Sequence, residues 1–255
     1  MSSSNTLLHG KKVVIIGGSS GIGKGVAAAA VANGASVVIA SFTEAKVKAA
    51  VEILKKSAQI EGVTAAGQAF DMRDSAALTK FLSENGPFDH LIFTGGDMGE
   101  VGLGFPNIEI NDNTKKQFDS RYWAPMIAAQ HAYKNQLFNA GGSFIMTMGT
   151  SFYRPQPGWG LVSGIVGAIE SATRGLAIDL KPIRVNTVNP GLVASEFWGH
   201  LTEEARQTMY EEAAKKILVG HVGTPDEVAE AYIFAMKCSY LTGQTITVDG
   251  GSILT

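Results

Sequence analysis

Three glycines near the start of the chain have the spacing of a nucleotide-binding turn. Gly17, Gly21 and Gly23 follow a short apolar run and lead into an alanine-rich segment. Such a turn brings backbone N–H groups against a pyrophosphate, without obstruction by side chains, at the positive end of the next helix. The spacing alone also fits a glycine-rich turn that binds nothing. Its position between an apolar run and a helical segment favours a dinucleotide site.

The elements that would position this turn alternate along the chain. Seven apolar or β-branched runs predict strands, at residues 12–16, 36–40, 63–70, 90–94, 143–148, 183–188 and 245–248. Helical patterns lie at residues 25–33, 44–57, 74–83, 113–139 (with an irregularity at Pro125) and in the later part of 157–180. Strands that alternate with helices imply parallel crossovers. We therefore expect one α/β domain over residues 1–255, a Rossmann-like doubly wound parallel seven-stranded sheet with helices on both faces.

The end of the second strand bears on which dinucleotide the turn would bind. An acidic side chain there hydrogen-bonds the ribose 2′-hydroxyl and repels a 2′-phosphate. The chain instead has Ser41, Phe42 and Thr43, with Lys46 shortly after them. Because hydroxyl and ammonium groups donate well to a phosphate, the sequence favours NADP(H) as cofactor. The two hydroxyls could also simply cap the helix that follows.

Composition and charge exclude several function classes. The 255 residues carry a net charge of −2 at pH 7, which gives no electrostatic reason to expect nucleic acid or a membrane surface as partner. The single cysteine, Cys238, excludes an internal disulfide framework and a cysteine-rich metal site, and we expect no metal. No apolar run reaches the roughly 18 residues that span a bilayer, and no secretory signal is visible. We expect a cytoplasmic protein that acts on a small molecule.

Motifs along nearly the whole chain are similar to those of the short-chain dehydrogenase/reductase family. They are the turn at residues 17–23, Asp71, Thr94-Gly95-Gly96, residues 183–191 ending in Asn189-Pro190-Gly191, and the closing residues 242–251. Their order and spacing together are highly specific. With the end of the second strand included, the resemblance implies cofactor contacts from Gly17, Ser19, Ser20, Ile22, Ser41, Phe42, Thr43, Asp71, Met72, Gly95, Gly96, Pro190, Gly191, Val193 and Ser195.

The resemblance also locates a catalytic centre that this chain lacks in its usual form. The family uses a Ser, a Tyr, a Lys and an Asn there. The Tyr and Lys positions fall on Val162 and Val166, the Ser position on Gly149 or Thr150, and the Asn position on Arg121. No tyrosine of the chain is followed by a lysine four residues later. The loss of the pair therefore does not depend on the alignment register.

Three residues are candidates for a rebuilt catalytic site. Tyr153 follows the fifth strand, at the edge where open α/β sheets bind ligands, and is the candidate proton donor. It could instead be a loop tyrosine packed against Pro155 or Trp159. Arg121 would bring a fixed charge to a cofactor oxygen or a substrate carbonyl, or form an ordinary salt bridge with a nearby acid. Thr150 has the family's serine position.

Aromatic residues indicate the character of the substrate. Gln156 and Trp159 would line the mouth of the pocket, although Trp159 could merely cover the core. Phe197 and Trp198 lie in the segment that forms a lid over the substrate in the family. These side chains favour a bulky, apolar substrate. The combination resembles a divergent branch that includes fungal secondary-metabolite reductases, some acting on iminium intermediates and some coupling reduction to a cycloaddition.

Three functions stay open on the sequence alone. Hydride transfer needs only a dihydronicotinamide held against an electrophilic carbon, so the leading hypothesis is an NADP(H)-dependent reductase of an iminium, enone or carbonyl group. A non-redox cyclase or isomerase and a catalytically silent NADPH-binding protein are the alternatives. The resemblance further implies a homodimer or homotetramer.

Overall fold

Seven parallel strands form one sheet in the computed structural model, which describes residues 8–96 and 104–255. Within those ranges the strand order is β3-β2-β1-β4-β5-β6-β7, and every neighbouring pair is parallel. The strands are β1 (Lys12–Ile16), β2 (Ser36–Ser41), β3 (Ala65–Ala69), β4 (Phe88–Phe93), β5 (Phe138–Thr147), β6 (Arg184–Pro190) and β7 (Thr245–Val248). The predicted doubly wound α/β fold is confirmed.

Eight α-helices accompany the strands in the described part of the chain. They are α1 (Gly21–Ala32), α2 (Glu44–Ser57), α3 (Ser75–Asn85), α4 (Asp112–Lys115), α5 (Ala124–Lys134), α6 (Gly160–Asp179), α7 (Glu203–Ala214) and α8 (Pro225–Lys237). One cluster of buried side chains joins α1, α2 and α8 to the sheet, and a second cluster joins α3, α5 and α6. Helices therefore cover both faces, as the alternating pattern predicts.

The central strands are largely apolar because both of their faces are covered, with the polar residues Lys12, Asp89 and His90 near their amino ends. All six residues of β4 are buried, and four of the five residues of β1 are buried. A parallel sheet between two helical layers requires continuous apolar runs rather than alternation. This is why the strands at residues 12–16 and 90–94 are visible in the sequence as compact apolar runs.

The single long helix predicted over residues 113–139 is wrong. The chain there forms α4, a π-helical turn at Asp119–Trp123, and α5, and β5 begins at Phe138. Pro125 has no N–H to donate to the carbonyl group four residues earlier, so a regular α-helix loses a hydrogen bond there. The π-helical turn ends two residues before this proline, and such turns are frequent at functional sites.

Strand β5 begins earlier than the predicted residue 143. Its pairing with β4 shifts register between Phe88 and His90. Gly141, with a φ of +78°, lies in the early part of β5, in a conformation that glycine adopts readily. The extra residues therefore belong to an irregular start of the strand rather than to a loop.

The structure has two helices between β6 and β7, α7 and α8, that the sequence patterns do not predict. Both begin at a threonine cap. The Thr202 side chain accepts from a backbone N–H of α7, and Thr224 forms a capping box with Glu227 at the start of α8. A threonine followed three residues later by glutamate is a helix-start signal that the sequence does contain.

Helix α6 is the one described helix that is long and apolar enough to cross a membrane by length and composition. It packs against β6, and its residues Val166 and Ile169 belong to the hydrophobic core. One side of α6 therefore lies in the core.

Candidate active site

The strand order creates a cleft at the carboxyl ends of β1 and β4. From β1 the chain continues to β2 and β3 on one side, while β4 to β7 lie on the other side. The loops after β1 and β4 therefore diverge, and open α/β sheets bind their ligands at such a point. Residues 97–103, which continue the loop after β4, lie outside the described residues.

Glycines allow the loops on the two sides of this cleft to approach closely. Gly17 has a φ of +96°, and a Cβ atom on it would lie 2.3 Å from the Gly95 nitrogen. A Cβ on Gly23 would lie 2.2 Å from the Gly17 carbonyl oxygen, and one on Gly95 would lie 2.3 Å from the Met72 methyl carbon. At Gly17 and Gly23 the obstructing atoms belong to the backbone, so only a residue without a side chain fits, whereas at Gly95 the flexible end of Met72 would have to move. The structure thus brings together Gly17, Met72 and Gly95 from the predicted cofactor set.

The N-terminus of α1 presents unsatisfied donors to the cleft. Ser20 is the N-cap residue, yet its side chain makes no capping hydrogen bond in the described chain. Ser19 is 7% exposed, and its Oγ has no hydrogen-bond partner among the described residues. A buried hydroxyl without a partner costs free energy. A phosphate at this helix terminus would satisfy it, with Ile22 in the first turn beside it.

A carboxylate from the loop after β6 occupies part of this terminus. The Gly21 N–H donates to Glu196 Oε2 at 2.9 Å. Burial tends to raise the pKa of Glu196, but backbone N–H groups of Glu196 and Gly21 and the ammonium groups of Lys24 and Lys46 outweigh burial and lower it. Glu196 is therefore ionised at neutral pH. Glu196 is not predicted from the sequence, because its contact with α1 depends on how the fold places the loop after β6.

Polar and charged side chains from three segments line one cavity between α1 and α2. They are Ser19, Ser20, Lys24, Lys46 and Glu196. Lys46 is near the end of β2 in sequence, whereas Lys24 is brought here only by the first turn of α1. Two positive charges and two hydroxyls in one cavity form an environment that suits a phosphate group.

The end of β2, shortly before Lys46 in the sequence, carries no acidic side chain. Ser41 is the last residue of β2, Phe42 is exposed, and Thr43 is the N-cap residue of α2. The Thr43 side chain makes no capping hydrogen bond within the described structure. Its hydroxyl is therefore not used in the helix-capping role that was the alternative to phosphate binding.

The side chain of Asp71, after β3, is held in place by Arg73. The Arg73 Nη2 donates to Asp71 Oδ2 at 2.7 Å, and the Arg73 backbone N–H donates to Oδ1 at 3.0 Å. The side-chain hydrogen bond from Arg73 is the main reason that the pKa of Asp71 lies below its usual value. Asp71 thus keeps a fixed orientation directly before Met72, which packs over Gly95.

Arg121 lies on the π-helical turn and is held against the end of β4. Its Nη2 donates to the Gly96 carbonyl oxygen at 3.2 Å. A Cβ on Gly96, whose φ is +145°, would lie 3.0 Å from Arg121 Cγ, so the side chain covers this glycine. A guanidinium is charged at every physiological pH. The π-helical turn therefore supplies a permanent positive charge at the carboxyl edge of the sheet.

Val162 and Val166 lie on one face of α6, one turn apart. They are 8% and 3% exposed, and Val166 packs in the hydrophobic core. Helix α6 contacts both the π-helical turn that carries Arg121 and the 3-10 turn at Thr150–Phe152. The two valines, Arg121 and Thr150 therefore belong to elements that pack against one another.

Tyr153 follows the 3-10 turn and is about half exposed. Its ring packs edge-on against Phe152, with ring centroids 4.7 Å apart. Phe152 in turn lies against α6, where a Cβ on Gly167 would be 3.7 Å from its ring. The structure thus gives Tyr153 a fixed aromatic neighbour and leaves about half of its surface accessible to a ligand or solvent.

The residues after β6 reach from the sheet back to α1. The Gly191 N–H donates to the Val248 carbonyl oxygen at 3.0 Å, which ties this segment to β7 where Pro190 ends β6. Val193 pairs with Gly223. Ser195 lies beside Gly21, where a Cβ would be 3.5 Å from Ser195 Cβ.

The predicted substrate residues occupy two loops at the same edge of the sheet. Gln156 and Trp159 precede α6, and the Trp159 N–H donates to the Gln156 carbonyl oxygen at 3.1 Å. Phe197 and Trp198 follow β6 and pack edge-on, with centroids 5.1 Å apart. Because β5 and β6 are parallel neighbours, both loops leave the sheet on its carboxyl side. In the part of the chain that is described, no three His, Cys, Asp or Glu side chains cluster closely enough to hold a metal ion.

Comparison with known proteins agrees with this architecture. A family model for the SDR-like Rossmann domain matches residues 4–255. The short-chain dehydrogenase/reductase malC from Malbranchea aurantiaca is 32% identical over 260 residues, which cover 98% of this chain and 97% of the relative. The structure of the MalC reductase/Diels-Alderase from the same organism superposes with a TM-score of 0.90 at 30% identity, covering 99% of this chain and 100% of that one. A small-chain dehydrogenase in complex with NADPH superposes with a TM-score of 0.77 at 29% identity, covering 96% and 99%. The chain belongs to the short-chain dehydrogenase/reductase family.

Proposed function

We propose that this protein is an NADP(H)-dependent reductase that acts on an iminium, enone or carbonyl group of a bulky, apolar substrate. The observation that carries the proposal is the pairing of a glycine-lined cleft with a phosphate-compatible cavity. The cleft lies between Gly17 and Gly95, and the cavity contains Lys24 and Lys46. An oxidoreductase of this family is the function that the fold and its relatives support most directly.

The residues around the cleft fit a nicotinamide dinucleotide. A Cβ at Gly17 would fill the space between the two loops, and a ligand phosphate could accept a hydrogen bond from the Ser19 hydroxyl, which has no partner among residues 8–96 and 104–255. The α1 terminus with Ser20 and Ile22 would hold the pyrophosphate, while Ser41, Thr43 and Lys46 would hold a 2′-phosphate. When bound, the cofactor supplies a hydride. The NADPH complex of a similar dehydrogenase supports this choice of cofactor.

The proposed active site stabilises charge without the family's usual phenol and ammonium groups. Val162 and Val166 have no proton to donate and no charge. Arg121, held on the Gly96 carbonyl, would stabilise negative charge that develops on a carbonyl or enone oxygen. A guanidinium is a poor acid, so a ketone substrate also requires a proton donor, for which Tyr153 is the candidate. An iminium carbon requires no proton when it accepts a hydride, so its reduction would not depend on a donor that replaces the phenol.

A second candidate function is ring formation coupled to reduction. It is supported by the similarity to the MalC reductase/Diels-Alderase over the whole chain. A cycloaddition gains mainly from orientation of the reacting groups inside a shaped apolar pocket. The aromatic side chains of Trp159, Phe197 and Trp198 would provide such walls.

The choice of cofactor is tested by binding. We expect Lys46→Ala to weaken NADPH binding by about 10- to 100-fold and to leave NADH binding nearly unchanged, because a charge-assisted hydrogen bond to phosphate contributes about 1.5–3 kcal/mol. Lys48→Ala is the matched control, since Lys48 lies on the same helix and pairs with Glu44 at 2.7 Å. Equal loss of NADPH and NADH affinity in Lys46→Ala would refute the role of Lys46 at the 2′-phosphate.

The reaction is tested with a panel of cyclic iminium ions, enones and ketones. We expect stoichiometric NADPH oxidation with at least one iminium and little with simple ketones. Cyclised product formed without NADPH consumption would support the second candidate. Absence of both NADPH binding and turnover across the panel would rule out the reductase.

A further inference from the structure

The segment after β6 is joined to α1 by a single acidic side chain. We call residues 195–200 the lid tip. It contains a 3-10 turn at Glu196–Trp198, and the Glu196 carboxylate accepts the hydrogen bond from Gly21 at 2.9 Å. In the described structure this is the one side-chain hydrogen bond between the lid tip and the body of the fold, because the Trp198 indole donates to Val193 at the base of the same segment.

The base of the segment is anchored independently of Glu196. Val193 pairs with Gly223 in an isolated bridge, and the Ala194 N–H donates to the Gly223 carbonyl oxygen at 2.8 Å. These backbone bonds lie outside the lid tip. If the Glu196 contact breaks, the base therefore stays in place while the lid tip loses its side-chain hydrogen bond to α1.

The Glu196 carboxylate lies at the N-terminus of α1, a position that favours an anionic ligand. The first turn of α1 has no acidic residue of its own, so Glu196 supplies the negative charge that a helix N-terminus attracts. Lys24 and Lys46 line the same cavity and favour the ionised carboxylate. The buried Ser19 hydroxyl in this cavity lacks a partner among the described residues, which indicates that a second polar group is still to be accommodated.

We propose that Glu196 is an internal competitor for the phosphate groups of the cofactor, and that its release from Gly21 couples cofactor binding to movement of the lid tip. The inference rests on the proposed function, because it assigns the cavity to a dinucleotide. One N–H group and two ammonium groups cannot fully serve a carboxylate and an incoming phosphate at once. Two anions in the same cavity also repel each other. The cofactor therefore binds with a penalty that removal of the Glu196 charge abolishes.

The test measures NADPH and NADH dissociation constants for Glu196→Gln and Glu196→Ala by fluorescence titration at fixed ionic strength. We expect both variants to bind NADPH about two- to fivefold more tightly than the wild type, the factor that one charge at a helix terminus supports. The gain should shrink as salt is raised, because the repulsion is screened. Glu203→Gln is the matched control: it makes the same charge change on the exposed first turn of α7, and should leave both constants unchanged.

Hydrogen exchange provides the second measurement, with a readout independent of turnover. In the wild type, saturating NADPH should raise exchange at residues 196–201, whereas in Glu196→Ala these amides should exchange fast already without cofactor. Binding by Glu196→Gln that is equal to or weaker than that of the wild type overturns the inference and leaves the proposed function standing. Failure of the wild type and both variants to bind either dinucleotide overturns the proposed function together with the inference. Melting temperatures close to the wild-type value confirm that the variants are folded.

Discussion

Replacement of Gly17 by alanine tests whether the close approach of the β1 and β4 loops builds the cofactor site. The new methyl group would lie 2.3 Å from the Gly95 nitrogen and 2.6 Å from its Cα. Carbon contacts are normally about 3.5–4.0 Å, so the two loops would have to separate by roughly 1 Å. Because the obstructing atoms are backbone atoms, rotation of a side chain cannot relieve the overlap.

The expected loss of unfolding free energy in Gly17→Ala has two parts, and a matched control variant separates them. A φ of +96° costs an L-residue roughly 1–2 kcal/mol, and overpacking adds about 1–3 kcal/mol or more. Gly62 has a φ of +82°, and a Cβ atom on it would have nothing within 4 Å, so Gly62→Ala carries the first cost alone. We expect a loss of about 1–2 kcal/mol for Gly62→Ala and about 2–5 kcal/mol for Gly17→Ala.

Urea unfolding followed by circular dichroism measures both losses, and a fluorescence titration measures NADPH binding. We expect Gly62→Ala to bind NADPH like the wild type and Gly17→Ala to show no saturable binding under conditions where it remains folded. If Gly17→Ala loses no more stability than Gly62→Ala and still binds NADPH, the close approach of the two loops does not define the site.

Further predictions concern stability and catalysis. The buried imidazole of His90 has a pKa lowered to about 3, chiefly by burial. Because the unfolded chain binds that proton near pH 6.5, the free energy of unfolding should fall by about 2 kcal/mol between pH 7 and pH 5. Urea unfolding at both pH values measures this fall, which should be smaller in His90→Gln. Thr224→Ala removes the capping box that Thr224 forms with Glu227 and should cost about 1 kcal/mol in the same assay, so an unchanged midpoint would contradict the capping role. Arg121→Met keeps much of the length of the side chain but removes the charge. It should lower kcat/KM for an enone or ketone by about 10- to 100-fold while changing the NADPH dissociation constant less than about threefold. An equal loss in NADPH binding would instead mean that Arg121 serves mainly to hold the cofactor.

Much of the fold could be predicted because a parallel sheet imposes continuous apolar runs. Strands β1 and β4 are visible for this reason, and α2 agrees with the predicted residues 44–57. The helix over residues 113–139 failed because composition reveals neither the π-helical turn nor the point at which helix gives way to β5. A segment without glycine can form either an α-helical or a π-helical hydrogen-bond pattern, so its composition does not choose between them. Pro125 does mark the place where the helix becomes irregular.

The sequence predicts those parts of the candidate site in which the backbone geometry allows only one residue type, glycine. Gly17 and Gly23 are required because backbone atoms fill the space that a side chain would need, and this requirement leaves a spacing signal. Lys24 and Glu196 leave none, because their roles depend on which loops the fold brings together from distant parts of the sequence. Electrostatic partners of this kind become visible only once the strand order is known.

The two ends of the sheet carry different kinds of buried polar residue. At the amino ends of the strands, His90 bonds Ser143 at 2.8 Å, Asp89 pairs with Lys11 at 2.9 Å, and Arg184 donates to carbonyl groups around the end of α8. None of these contacts reaches the loops at the carboxyl ends, where the candidate site lies. Mutations in the loops around Trp159 and Phe197 can therefore accumulate without weakening the contacts at the amino ends.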